Sequence, residues 1–271
     1  MKVAFFVLLI LAALAGPAFA SPQQEAFWRI RTVFRSHPVP PYVRYTLIRT
    51  QFDPDGEPEL EGSYRFRIWF RSSDHAALGR RLFGNEVESL QFMRPAFNEP
   101  RDPGPPTADL FEPAPSVPHT IAEPVLAMQT PVPRLIGSVV TMHDLEYRVL
   151  SMRTEDSLLH LVVAPRRDPE RNRLRELWAD KNTYELSKVI ATERVYFIGG
   201  PMYEGLATIN LVMSGGRPLI SDVHTRVDFD RETGSGRDWE LAFREVSFPA
   251  ELPEWYFQPG EYGKHFMEAP R

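Results

Sequence analysis

The chain has 271 residues, with 31 Lys and Arg against 36 Asp and Glu, a formal net charge of −5 and 43% hydrophobic residues. That length is enough to bury a self-sufficient core in one large β-rich domain or two small ones. The acidic balance argues against a general nucleic-acid binder. Cysteine is absent, which excludes disulfides, thiolate metal ligands, a cysteine nucleophile and a lipid-modified N-terminal cysteine.

Residues 1–20 have the anatomy of a secretory leader: Lys2 as a basic start, an apolar run from Val3 to Leu14, and Ala18-Phe19-Ala20 before Ser21. The expectation is a soluble, exported, periplasmic protein beginning near Ser21. No later run approaches the roughly 20 apolar residues that a membrane helix needs, so no span is expected after leader cleavage. Residues 21–271 read as a single β domain.

Ser21-Pro22-Gln23-Gln24 supplies an N-cap, a first-turn proline and a capping-box candidate in Gln24. Phe27, Ile30, Val33 and Phe34 then share one helical face, and Pro38, Pro40 and Pro41 end it. The prediction is one amphipathic helix of about four turns.

From Tyr42 the hydrophobic period changes from helical to alternating. The clearest case is residues 63–71, where Tyr64, Phe66, Ile68 and Phe70 face one way and Arg65, Arg67, Trp69 and Arg71 the other. Similar runs occupy 43–50, 145–152, 158–163, 174–178, 186–195, 206–212, 219–229 and 239–246. Turn-like linkers separate several of them, among them Asp180-Lys181-Asn182 and Ser214-Gly215-Gly216, and Asp53-Pro54-Asp55-Gly56 reads as a further turn. A second helix is expected at 73–83. Roughly nine to eleven short strands joined by tight turns imply antiparallel neighbours. The fold class is mainly β with few helices: a curved antiparallel sheet, a half-barrel, covered by the N-terminal helix and loops.

Residues 95–133 break the pattern, holding eleven of the 26 prolines. They read either as a Pro-rich insertion on the surface or as a cover over one mouth of the sheet, made from Leu110-Phe111 and residues 121–128.

The familiar catalytic signatures are missing: no G-x-S-x-G, S-x-x-K, H-E-x-x-H or phosphate-binding G-x-x-x-x-G-K occurs. The seven histidines are scattered without metal-ligand spacing. His160 reads as a satisfied, half-buried side chain, and His224 as part of a solvated polar face. Asp228-x-Asp230-x-Glu232-x-Gly234 lacks the glycine position and terminal glutamate of a calcium loop. No catalytic residue, cofactor or metal is expected. Arginine is spread along polar strand faces rather than gathered into a block, so no basic stripe for phosphates is evident and these residues read as solvated faces.

What stands out is apolar surface. Tyr64, Phe66, Ile68 and Phe70, together with Leu159 and Leu161, form the candidate ligand-binding set on the concave face. If helix and loops fill that concavity it is core; if they fill it incompletely it is a pocket for a hydrophobic ligand.

The stretch 158–195 resembles the central hairpins of the LolA/LolB-type lipoprotein carrier superfamily. The carrying elements are a strand ending Val163-Ala164-Pro165, a polar turn, a strand ending Leu177-Trp178-Ala179-Asp180, a turn with Thr183, and a return strand through Leu186 to Ile190. The resemblance implies a curved half-barrel whose apolar interior takes acyl chains, and hence a non-catalytic periplasmic carrier or sensor with a lipid or acylated protein as partner. The alternative is an envelope scaffold with a filled core, docking another envelope protein through its Pro-rich segment.

Overall fold

The computed structural model describes residues 21–74, 76–83, 86–93, 106–107, 110–111, 147–169, 172–196, 202–230 and 235–265. The leader, residues 121–128 and most of the Pro-rich segment lie outside them.

Helix α1 (Pro22–Ser36) is followed by eleven strands: β1 (Tyr42–Phe52), β2 (Pro58–Arg71), β3 (Ala76–Phe83), β4 (Glu86–Met93), β5 (Tyr147–Glu155), β6 (Leu158–Pro165), β7 (Leu174–Asp180), β8 (Leu186–Tyr196), β9 (Met202–Ser214), β10 (Arg217–Asp230) and β11 (Ser235–Ser247). Two 3-10 turns, η1 (Glu254–Phe257) and η2 (Pro259–Glu261), and a short α2 (Tyr262–His265) close the described chain. All strands belong to one open antiparallel sheet ordered β4-β3-β2-β1-β11-β10-β9-β8-β7-β6-β5. Each strand pairs with its chain neighbour except at the centre, where β1 meets β11, and at the two edges, β4 and β5. The chain thus leaves the sheet at one edge and re-enters at the other.

The helix starts as its sequence dictates. Ser21 Oγ accepts from the Gln24 amide at 3.3 Å, and Pro22 takes the first turn. The Gln24 side chain does something other than close a capping box. Its Nε2 donates to Tyr147 O and its Oε1 accepts from Val149 N, both at 3.2 Å, so it satisfies the outer rim of edge strand β5 as a neighbouring strand would. Ala26, Phe27 and Ile30 are buried against the inner face of the sheet.

One inner core runs across the sheet from β2 to β5 and takes in α1. Leu110 and Phe111 belong to it, with the Phe111 ring 5.8 Å from Phe27 and 5.6 Å from Phe34, and Pro106 O accepts from the Ile220 amide at 2.8 Å. These described parts of the Pro-rich segment are tucked against the sheet.

A second, smaller core lies on the outer face. Trp69, Ala76, Leu78, Tyr256 and Phe257 are buried together there, with Trp255, Leu252 and Tyr42 against them. It explains the main correction to the expected elements: residues 76–83 are strand β3, paired along β2 from Arg65↔Leu82 to Arg71↔Ala76, where a helix was expected. Because both faces of the sheet are covered here, Ala76, Ala77 and Leu78 are apolar in succession, which erases the alternation that marks a half-buried strand. Strand β4 was also missed.

The Asp180–Thr183 turn forms as read. Asp180 Oδ1 accepts from the amides of Asn182 and Thr183 at 2.8 Å, and these backbone hydrogen bonds hold its carboxyl below the usual range.

Candidate functional site

The six residues singled out on apolar phase all face the inside of the sheet. On β2, Tyr64, Phe66, Ile68 and Phe70 stand opposite Arg49, Leu47, Tyr45 and Val43 of β1. On β6, Leu159 and Leu161 stand opposite Ala179 and Leu177 of β7. Six strands separate β2 from β6, yet five of these side chains are buried members of one cluster and Tyr64 packs half-buried against it. Ile68 and Leu161 are 0% exposed and Phe70 2%, whereas Phe66 and Leu159 keep 8% and 9%. Ile68, Phe70 and Leu161 therefore form the packed wall, with Tyr64, Phe66 and Leu159 at its less tightly sealed margin.

Near Tyr64 the inner face changes character. Arg49, on the apolar phase of β1, is only 8% exposed. Its guanidinium carbon lies 5.7 Å from the Tyr64 ring and 5.8 Å from the Trp239 ring, and Nη2 donates to Gln51 Oε1 at 3.2 Å. Aromatic faces are the surroundings in which a desolvated guanidinium loses least.

The adjoining row across the sheet is set by register: Ala191↔Ala207, Ala207↔Thr225, Thr225↔Trp239, Trp239↔Gln51. Three small side chains in succession make a low floor beside a large indole. Thr225 and Trp239 are 0% exposed, and neither Thr225 Oγ1 nor Trp239 Nε1 has a hydrogen-bond partner among the described residues. Leaving such a group dry and unmatched costs about 1–3 kcal/mol. At the far margin Glu193, 2% exposed, receives Arg173 Nη1 at 3.3 Å. Gly205, opposite Glu193, is forced: a Cβ there would stand 2.1 Å from Arg226 O.

Sequence reasoning missed Arg49, Thr225 and Trp239 as a group. A signal existed, because each occupies an apolar-phase position that should hold an aliphatic side chain, Thr225 between Val223 and Val227 for example.

On the outer face His160 is satisfied, as expected, but buried rather than half-buried. It is 4% exposed, stacks on Trp178 with centroids 4.0 Å apart, and has Glu176 Oε2 2.7 Å from Nε2 and Glu155 Oε1 3.2 Å from Nδ1. Burial pushes the Glu155 carboxyl up, but hydrogen bonds from Trp178 and His160 outweigh it and hold the group below its ordinary value. His224 lies on a solvated face, its Nε2 2.6 Å from Asp238. Among the described residues no group of three or more His, Asp and Glu is placed to hold a metal ion, and no helix is long and apolar enough to cross a membrane.

No family model matches the chain, and no curated protein matches its sequence. In fold it is similar to a LolA superfamily protein from Nitrosomonas europaea, at 11% identity and a TM-score of 0.41, covering 89% of this chain and 99% of that one. It is similar to a putative outer membrane lipoprotein-sorting protein domain from Vibrio parahaemolyticus, at 10% identity and a TM-score of 0.43, over 88% and 97% of the two chains. The lipoprotein LppX of Mycobacterium tuberculosis is similar at 10% identity and a TM-score of 0.28, over 86% and 99%.

Proposed function

We propose that the chain is a non-catalytic periplasmic carrier or sensor that holds a hydrophobic ligand, a lipid or a protein-borne acyl chain, against the inner face of its sheet. The observation that carries this reading is the pair of buried, unmatched polar atoms, Thr225 Oγ1 and Trp239 Nε1, set beside a floor of small side chains in a mostly apolar face. An apolar cavity with a few placed polar groups is the usual form of a small-molecule site. Tyr64, Phe66 and Leu159 would meet the acyl chain, Ile68, Phe70 and Leu161 would form its fixed wall, and Thr225, Trp239 and Arg49 would face its polar end. The leader read at residues 1–20 would deliver it to the periplasm.

Leu110 and Phe111, packed on α1, favour the Pro-rich segment as a cover over the ligand rather than a projecting arm for a partner.

Native mass spectrometry of the protein purified from the periplasm without detergent tests the reading. A bound lipid or acylated species is expected in the wild type and reduced occupancy in Thr225→Val. That substitution is expected to raise the stability of the empty protein by about 1 kcal/mol, because it deletes an unmatched buried hydroxyl. A wild type that stays empty after incubation with host lipid extract overturns the proposal.

A further inference from the structure

The outer face of the sheet carries an arginine cluster that the chain's numbering conceals. Pairing of β2 with β3 sets Arg67 directly opposite Arg80, and Arg65 follows two residues along β2 on the same face. Pairing of β1 with β2 brings Arg44 beside Trp69 and Thr46 beside Arg67. Directly opposed side chains in an antiparallel pair have Cβ atoms about 5 Å apart, and like charges at that separation are destabilising. Desolvation, with Arg67 adding to it, lowers the pKa of Arg80.

One described carboxylate answers these four cations. Glu245 sits in the bulge where β11 slips against β1, with φ +53°, and accepts from Thr46 Oγ1 at 2.7 Å and from Arg67 Nη2 at 3.2 Å. Arg44 Nε donates to neutral Ser247 Oγ at 3.1 Å. Arg65 Nε and Arg80 Nε are shielded from water and have no hydrogen-bond partner among the described residues. Arg44, Tyr45, Thr46, Arg67 and Glu245 line a concavity of about 330 Å³, and Arg65 and Arg80 flank Arg67 outside that lining.

We propose that Arg44, Arg65, Arg67 and Arg80 form a binding site for a phosphate group on the outer face of the sheet. The site is separate from the inner-face ligand and does not depend on it. A guanidinium presents a planar fork of donors that matches phosphate oxygens two at a time. A phosphate monoester carries about −1.5 to −2 charge at neutral pH and three acceptor oxygens, which suits donors arriving from three adjacent strands with one carboxylate beside them. A single carboxylate ligand would leave most of that charge and most of those donors unanswered. Free phosphate offers that charge in full, whereas the phosphodiester headgroup of an anionic phospholipid offers the same donors one negative charge and two free oxygens.

The two sources separate experimentally. Inorganic phosphate is titrated into the purified protein at low salt by calorimetry, and flotation is measured with phosphatidylcholine vesicles with and without phosphatidylglycerol. Each arm is repeated with the double variant R67Q/R80Q, with Arg67→Lys and with Glu245→Gln. The expected result is saturable binding in at least one arm, weakened at least tenfold in R67Q/R80Q, partly kept in Arg67→Lys and tightened in Glu245→Gln. Binding of phosphate alone assigns the site to a soluble ligand, and binding of phosphatidylglycerol vesicles alone assigns it to a membrane surface. No wild-type binding in either arm, or equal binding by wild type and R67Q/R80Q, overturns the proposal. Thermal melting guards against misfolding, since R67Q/R80Q removes a repulsion and is expected to melt no lower than the wild type.

Discussion

The outer face of β2 holds two arginine environments a few residues apart, and they answer charge in opposite ways. At one end Arg71 is closed in. Its guanidinium pairs with Asp74 at 2.7 Å and Glu254 at 2.8 Å, lies 4.3 Å from the Phe257 ring, and borders the buried Trp69 core. At the other end Arg67 pairs with Glu245 and faces Arg80, with Arg65 two residues along on the same face. The same strand, with the same alternation, thus uses arginine once as a staple for the C-terminal turns and once as partly exposed charge with a single described carboxylate. Arginine content on a strand face says little until the neighbouring strands and their acids are known.

The largest effect that can break this contrast is removal of the hydrophobic anchor. Trp69→Ala empties the outer core at a position that is 0% exposed, and a loss of about 3–5 kcal/mol is expected in denaturant titration. If the loss is negligible, the C-terminal turns do not depend on that core.

Next comes the staple itself. Arg71→Ala removes two ion pairs and a ring contact, but Asp74 and Glu254 are 48% and 62% exposed, so only about 1 kcal/mol is expected. This end also carries a pH signature. Hydrogen bonds from Arg71, the main cause, hold the Asp74 carboxyl below its ordinary range. The pair therefore contributes fully above the unfolded carboxyl pKa of about 3.9 and is lost as pH falls through the lower folded value. Asp74→Asn should remove that acid-limb contribution, visible as a flatter Tm profile below about pH 4.

At the open end the sign reverses. Arg80→Gln relieves the cross-strand repulsion and is expected to stabilise by up to about 0.5 kcal/mol. Added salt should raise the wild-type Tm and leave the variant nearly unmoved. Equal salt responses would mean that the Arg67–Arg80 opposition costs nothing.

Much of the architecture was legible because one face of most strands is buried and the other wet. Tyr64-Arg65-Phe66-Arg67 alternates visibly, and Phe27 and Ile30 keep helical spacing up to the Pro38 stop. The reading failed where that asymmetry disappears. Residues 76–78 pack on both sides, so Ala76-Ala77-Leu78 imitates a helix, and the cover for Trp69 comes from Tyr256 and Phe257, far along the chain. The inner-face set Tyr64 to Phe70 with Leu159 and Leu161 was legible from phase alone. Arg49, Thr225 and Trp239 were visible singly as departures from aliphatic phase but not as a group, because their adjacency depends on β10 and β11 meeting β1 in one register. The arginine cluster is hidden for the same reason, since Arg44, Arg67, Arg80 and Glu245 come from four strands.

The bond from Gln24 to strand β5 ties together residues 123 and 125 positions apart, and the central pairing of β1 waits for β11, the last strand. Such distant closures are slow to form. A chain emerging from its N-terminus must hold β1 without its partner until nearly all of it has emerged, and the β5 rim stays open until α1 docks. During that interval both rims are templates for pairing with another chain. Exchanging Gln24 for a residue without an amide would lengthen the exposure at one of them, so its first symptom should be aggregation during refolding, ahead of any fall in the stability of the finished fold.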